Sequence, residues 1–327
     1  MFQTIRNAWR IPDLRKKLLY TLGMLIIFRF GSYVPVPYLD RARVMALLSA
    51  GGGSSLLDFM NIFSGGAFAN ATIFAMSITP YINASIIMQL LTVAIPALER
   101  ISKEGEEGRK KLAQWSRYLT VVLALIQAIG LYFTLKNGYQ AVTTPGFLAG
   151  ATIVLTFTAG TAFLMWLGEQ INDKGIGNGI SILIFAGIVS RGPQMIQAIV
   201  EYNKSGTLNI FTTIILIVVA VIVIGFVVAM TNAERKIPVQ YSKRVVGRKM
   251  YGGQSTSIPI KVASAGVMPI IFAMSIMAFP GTVTSFFVKD ISKVNGFLGG
   301  VLKVLSPSHW VYGILYFLLI LFFTYFY

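Results

Sequence analysis

Leu208-NIFTTIILIVVAVIVIGFVVA-Met230 runs for 23 residues without one charged side chain. A hydrocarbon core of about 30 Å needs roughly 20 helical residues to cross it, so this stretch reads as a membrane span. Seven further segments qualify: Leu18–Pro37, Ala71–Pro96, Tyr118–Leu135, Gly150–Gly168, Ile176–Val200, Val262–Phe287 and His309–Tyr327. Ile176–Val200 is the weakest, because Arg191 and Pro193 make its far end polar. The expected fold class is an all-α polytopic membrane protein of eight transmembrane helices.

Composition agrees. Hydrophobic residues make up 55% of the 327, charged residues 12%, and mean hydropathy is +0.70; such a chain folds only with lipid around most of its surface. The net charge of +16 invites a nucleic-acid reading, yet the basic residues sit in loops that flank apolar runs, as the positive-inside rule requires. Cysteine is absent, which excludes disulfides and thiolate metal sites. The basic Met1–Lys17 stretch before an apolar run imitates a signal peptide. It lacks a small-residue cleavage site and Arg29 interrupts the run, so a retained first helix is expected.

The loops give an orientation. With the amino terminus on one side, 19 of the 28 Lys and Arg fall in the tail and in the loops that follow the second, fourth and sixth spans. The opposite side holds 8, counting Arg191 at the polar end of the fifth span, and Arg29 alone lies well inside a span. The basic-rich side is therefore expected to be cytoplasmic, with both termini inside.

Two loops are more than connectors. Ser54–Phe63 (SSLLDFMNIF) is amphipathic and, at 1.5 Å per residue, reaches about half a bilayer. It can lie on the outer surface or fold back into a cavity of the bundle, where irregular backbone is tolerated. Thr231–Lys261 carries six basic residues between Arg235 and Lys249; its PVQYSKRVVGRKMYGGQST reads as a hairpin with Val/Tyr-rich arms and a charged tip, long enough to dock a partner.

Catalytic chemistry finds little to work with. The one histidine, His309, stands at a span boundary, where packing or headgroup contact is the ordinary role. Glu104, Glu106 and Glu107 sit among lysines in a short loop. Glu169 and Asp173 flank the fourth-to-fifth turn, where Asp173 is a candidate cap for the next helix. Gly175-Ile-Gly-Asn-Gly179 has the wrong spacing for a phosphate loop but suits a tight turn. No acidic residue lies in any span, which argues against an ion-coupled carrier or a membrane-embedded protease. Composition and spacing leave a channel and a passive carrier open. Ile78 and Ile82 share a helix face, as do Ile180 and Ile184; spacing alone does not assign them a role.

Ser64-Gly-Gly, Ile78-Thr-Pro-Tyr-Ile-Asn-Ala-Ser85, Gly168-Glu-Gln-Ile, Gly175-Ile-Gly-Asn-Gly-Ile-Ser181, Gly247-Arg-Lys-Met-Tyr and Gln254-Ser-Thr resemble the SecY family, channel subunits of the bacterial Sec protein translocon. The resemblance runs along the whole chain. It implies a SecY-like helical bundle of two pseudo-symmetric halves, here 1–200 and a partial 201–327, with a re-entrant plug helix at about 54–66. The implied function is a non-enzymatic pore in the bacterial plasma membrane that passes unfolded preproteins and releases transmembrane segments sideways into lipid. The implied pore ring is Ile78, Ile82, Ile180, Ile184 and Ile271; the implied plug contains Leu56, Leu57, Phe59, Met60, Ile62 and Phe63. Lateral-gate positions match Asn83, Gln127 and Ala263. The hairpin 231–261, with Arg244, Arg248 and Lys249, matches the docking surface for the SecA motor ATPase or the ribosome. SecE and SecG are the implied small membrane subunits, preproteins with signal sequences the substrates, and lipid the surroundings; no cofactor, metal or nucleic acid is implied.

Two departures stand out. The family's Lys-Val-Asn at the start of the seventh span is Lys261-Val262-Ala263 here, with Ser264 as a poorly aimed substitute for the missing polar gate residue. The family has ten spans, whereas this chain stops in Phe322-Phe-Thr-Tyr-Phe-Tyr327; it reads as lacking the last two helices.

Overall fold

The structure, a computed structural model, describes residues 9–50, 61–62, 64–138, 140–144, 146–206, 209–239, 244–246, 249–251, 256–263, 266, 268–274, 276–277 and 309–326. Two units can be distinguished: Met1–Pro193 with Met274–Tyr316, and Gln194–Ala273 with Phe317–Tyr327.

The first unit is built on long helices. Pro12 opens α1 (Pro12–Gly31) in the first turn, where its fixed φ suits a helix and its missing N–H costs nothing. A short α2 (Arg41–Ala50) follows. α3 (Thr79–Ala94) ends at Ile95, whose extended backbone is what a following proline imposes, and Pro96 starts α4 (Pro96–Lys103). The two helices meet at 101°. α5 (Glu106–Phe133) runs on into a π-helical turn, Thr134–Gly138. α6 (Phe147–Lys174) and α7 (Gly179–Val189) complete the unit's bundle. α5 packs between α3 and α6, and α6 also packs against α1 and α7.

The span expected from Ala71 becomes helical only at Thr79. Residues 64–78 are turns around an isolated bridge at Thr72; Ala71 and Ser77 take positive φ of 50° and 56°, and Pro80 sits in the first helical turn. This irregular stretch is buried, with Thr72, Phe74, Ala75 and Met76 each 1% exposed. Its backbone finds partners: Val36 N–H donates to Ala71 O at 2.9 Å and Ile73 N–H to Val34 O at 3.1 Å. Non-helical chain at membrane depth survives only under such cover. A Cβ at Gly160 of α6 would collide with the Ile73 carbonyl, so the glycine is what lets helix and turn approach.

Around this stretch lie two apolar clusters. One gathers Val36, Phe68, Met76, Ala128, Leu135, Ile153 and Phe157; the other is centred on Phe28, Phe74, Leu164, Leu167, Ile171 and Leu183. Phe28, Phe74 and Phe163 stack in succession at 6.0 Å between centroids.

α8 (Gly192–Lys204) leads from the first unit into the second. A two-residue turn at Ser190–Arg191 separates α7 from α8, beside the Arg191 and Pro193 that weakened the reading of the expected fifth span; Gly179–Lys204 together is still long and apolar enough to cross a membrane. In the second unit α9 (Ile210–Asn232) exposes its whole apolar surface, none of its hydropathic window being buried inside the chain. So large an apolar surface is untenable in water and needs lipid. After α9 the chain forms the expected hairpin. β1 (Glu234–Val239) pairs antiparallel with β4 (Thr256–Lys261), from Glu234↔Lys261 to Val239↔Thr256, and β2 (Arg244–Val246) pairs with β3 (Lys249–Tyr251). Both β1 and β4 carry a proline, which a two-stranded ribbon tolerates because each strand has a free edge. The helix after β4 occupies 268–274; Val262 and Ala263, expected to begin it, are in a turn, and Gly266 follows at φ +59°. α10 (Trp310–Phe326) is apolar and has 17 residues.

Among the described residues four helical segments are long and apolar enough to cross a membrane, namely α5, α6, α7 with α8 taken together, and α9, or five if α3 and α4 form one broken span. α1 falls short by composition, carrying Asp13, Arg15, Lys16 and Lys17 at one end and Arg29 at the other. Arg29 lies in the last turn, where its guanidinium covers the Tyr33 ring at 4.8 Å and donates to the Tyr33 hydroxyl at 2.8 Å.

Candidate functional site

Four isoleucines singled out by spacing come together. Ile78 precedes α3 and Ile82 lies one turn into it, while Ile180 and Ile184 lie on α7. All four belong to the cluster around Phe28, Phe74, Leu164, Leu167, Ile171 and Leu183. Ile78 is 3% exposed and the other three are half-buried. Phe28, Ser77, Ile78, Leu164, Leu183 and Ile184 surround a cavity of about 10 Å³. That is at the lower limit for one water, and the walls are apolar apart from Ser77. The arrangement is a small apolar cavity whose lining carries no charged group.

The turn before α7 sets where Ile180 and Ile184 stand. The Gly175 amide donates to Ile171 O at 2.8 Å, and the Ile176 amide to Thr21 Oγ1 of α1 at 3.2 Å. The Gly179 amide donates to Asn172 Oδ1 at 2.7 Å. Asn178, not Asp173, caps α7: its Oδ1 accepts from the amides of Ile180 and Ser181 at 3.1 and 3.2 Å. Asp173 is the wrong residue because α6 continues through Lys174, leaving it inside a helix and exposed. A Cβ on Gly179 would strike the Gly168 carbonyl, so α7 touches α6 backbone to backbone.

Of the expected plug residues only Ile62 is among those described, and it is exposed; Leu56, Leu57, Phe59, Met60 and Phe63 lie outside the described residues. Asn61 is buried, and its Oδ1 accepts from the Ala69 amide at 3.1 Å. Among the gate positions, Asn83 lies on α3 and Gln127 on α5, both half-buried. Asn83 Oδ1 is buried and has no hydrogen-bond partner among the described residues. Ala263 lies in the turn after β4, and Ile271 is half-buried in the helix 268–274, next to Phe272, whose ring stacks on Phe323 at 5.2 Å. At the hairpin tip, Arg248 lies outside the described residues, and of Arg244 and Lys249 the backbone alone is described, in β2 and β3.

Sequence reading missed Phe28, Leu164, Leu167, Ile171 and Leu183. The helical spacing of Leu164, Leu167 and Ile171 was a signal, but apolar spacing is common to every span of such a chain. The positive φ of Ser77, which turns Ile78 into the cluster, had none.

A family model described as SecY matches residues 72–327. The protein translocase subunit SecY of Escherichia coli K12 is 46% identical over 329 residues, covering all of this chain and 73% of its own length. The Streptomyces galbus subunit of the same name is 44% identical over 342 residues, covering all of this chain and 76% of its own length. A solved structure of a protein-conducting channel superimposes with a TM-score of 0.66 at 21% identity, over 98% of this chain and 75% of that one.

Proposed function

The chain belongs to the SecY family, and from that premise we propose that it is the protein-conducting channel subunit of a bacterial translocon, not an enzyme. It passes unfolded preproteins across the plasma membrane and releases transmembrane segments laterally into lipid. The observation that carries this reading is the gathering of Ile78, Ile82, Ile180 and Ile184 in one apolar cluster, where Ile78 and Ile184 line a cavity no larger than a water. An apolar constriction of that size dewets, so it resists ions without gripping the varied peptides it admits. Ile271 completes the proposed ring on the strength of the family resemblance.

The same premise supplies the remaining parts. The segment 54–66, with Leu56, Leu57, Phe59, Met60, Ile62 and Phe63, acts as the plug. Asn83, Gln127 and Ala263 belong to the lateral gate; an unsatisfied Asn83 Oδ1 suits a surface that exchanges partners as it opens. Arg244, Arg248 and Lys249 dock the SecA motor or the ribosome, and SecE and SecG accompany the channel. The halves are 1–200 and 201–327, with eight spans and a cytoplasmic amino terminus, as the loop charges favour.

The test is electrical. In vesicles carrying the channel with its partner subunits, Ile184→Asn should wet the constriction and raise resting ion conductance by about tenfold or more. Conductance unchanged by this substitution would remove Ile184 from the constriction.

A further inference from the structure

We propose that Glu169 and Gln170 are positioning residues for the isoleucine ring, holding the wall of α6 against which α7 is set. The proposal rests on the reading of that ring as the pore's constriction. One turn of α6, Leu167 to Ile171, meets four neighbours on successive faces, as steps of about 100° per residue allow. Leu167 and Ile171, both 0% exposed, enter the cluster that holds Ile180 and Ile184. Gly168 faces α7, where a Cβ would sit 3.1 Å from Ile180 Cγ1. Glu169 Oε1 accepts from Arg117 Nε of α5 at 2.6 Å. Gln170 Oε1 accepts from the Tyr20 hydroxyl of α1 at 3.1 Å. Thr21, next to Tyr20, holds the Ile176 amide at the start of the turn into α7.

Helices surrounded by lipid gain little from apolar contact with each other, because lipid tails are as apolar as the partner; close packing and polar links set their spacing. Among the described residues Arg117–Glu169 is the one ion pair that joins residues far apart in sequence. Its partners are 47% and 21% exposed, so it can respond to its surroundings. Loosening it frees α6 from α5 just where Gly168 and Gly179 fix the depth of α7. Ile180 and Ile184 then shift without themselves being altered.

The experiment measures resting ion conductance of the channel with its partner subunits in vesicles, alongside its unfolding temperature. Glu169→Arg should raise conductance about threefold, the population change expected from one partly exposed ion pair. Swapping the charges, Arg117→Glu with Glu169→Arg, should return it toward the original value. Asp173→Asn, exposed and outside the turn's contacts, should leave it unchanged. If the reversal does not assemble, Glu169→Gln with Tyr20→Phe carries the same expectation. Conductance that stays at rest in these variants, while Ile184→Asn leaks, overturns the positioning role and leaves the ring intact. So does a leak that the charge swap fails to reverse. If Ile184→Asn is silent too, the ring itself is wrong.

Discussion

Gly179 shows how much rests on one missing side chain. Its Cα lies where a Cβ would meet the Gly168 carbonyl, backbone against backbone, so neither partner can yield by rotating a side chain. Gly179→Ala should therefore cost about 1–3 kcal/mol, the usual penalty for overpacking a close-fitted interior. Thermal unfolding of the purified protein in detergent measures it; an unchanged midpoint would mean that α6 and α7 are not packed this closely. The Gly175–Gly179 run was legible as a tight turn from sequence, and the structure shows how it is held: Thr21 and Asn172 accept from its Ile176 and Gly179 amides, and Asn178 caps the first amides of α7. Asp173 misled because an acidic residue near a helix start is a good cap only where the preceding helix has already ended.

At the scale of elements, apolar runs gave the bundle and the hairpin's chemistry gave β1 and β4. Breaks within apolar runs were harder to read. Nothing in Ala71–Ile78 announces turns, because positive φ at Ala71 and Ser77 is imposed by surrounding packing and contradicts local preference. The two-residue turn at Ser190–Arg191, by contrast, was foreshadowed by a charge and a proline. Ile78, Ile82, Ile180 and Ile184 were visible as pairs at helical spacing; that the two pairs share a cluster depends on tertiary packing and was not. The hairpin carries its own prediction. Reversing Arg248 and Lys249 to Glu should weaken binding of the cytosolic motor or ribosome by about tenfold, more at low salt than at high, since rim charges act on encounter and orientation. The β1–β4 ladder lies away from the tip, so the bundle should stay folded. Binding unaffected by the double reversal would take the tip out of the docking surface.

For the molecule as a whole, the charge asymmetry of 19 against 8 basic residues sets the expected orientation. The absence of cysteine gives a clean background for testing it with a membrane-impermeant thiol reagent. Arg248→Cys should resist labelling from outside intact cells while Ser292→Cys reacts; the reverse pattern would invert the topology. The central claim, that a polypeptide crosses through the apolar ring, has a more direct test. A preprotein arrested midway in the assembled channel should crosslink to photoreactive probes at Ile82 and Ile184, which lie on different helices of one cluster, and not to a probe at Ile222, on the exposed apolar surface of α9. Crosslinks at Ile222, with Ile82 and Ile184 silent, would contradict the account.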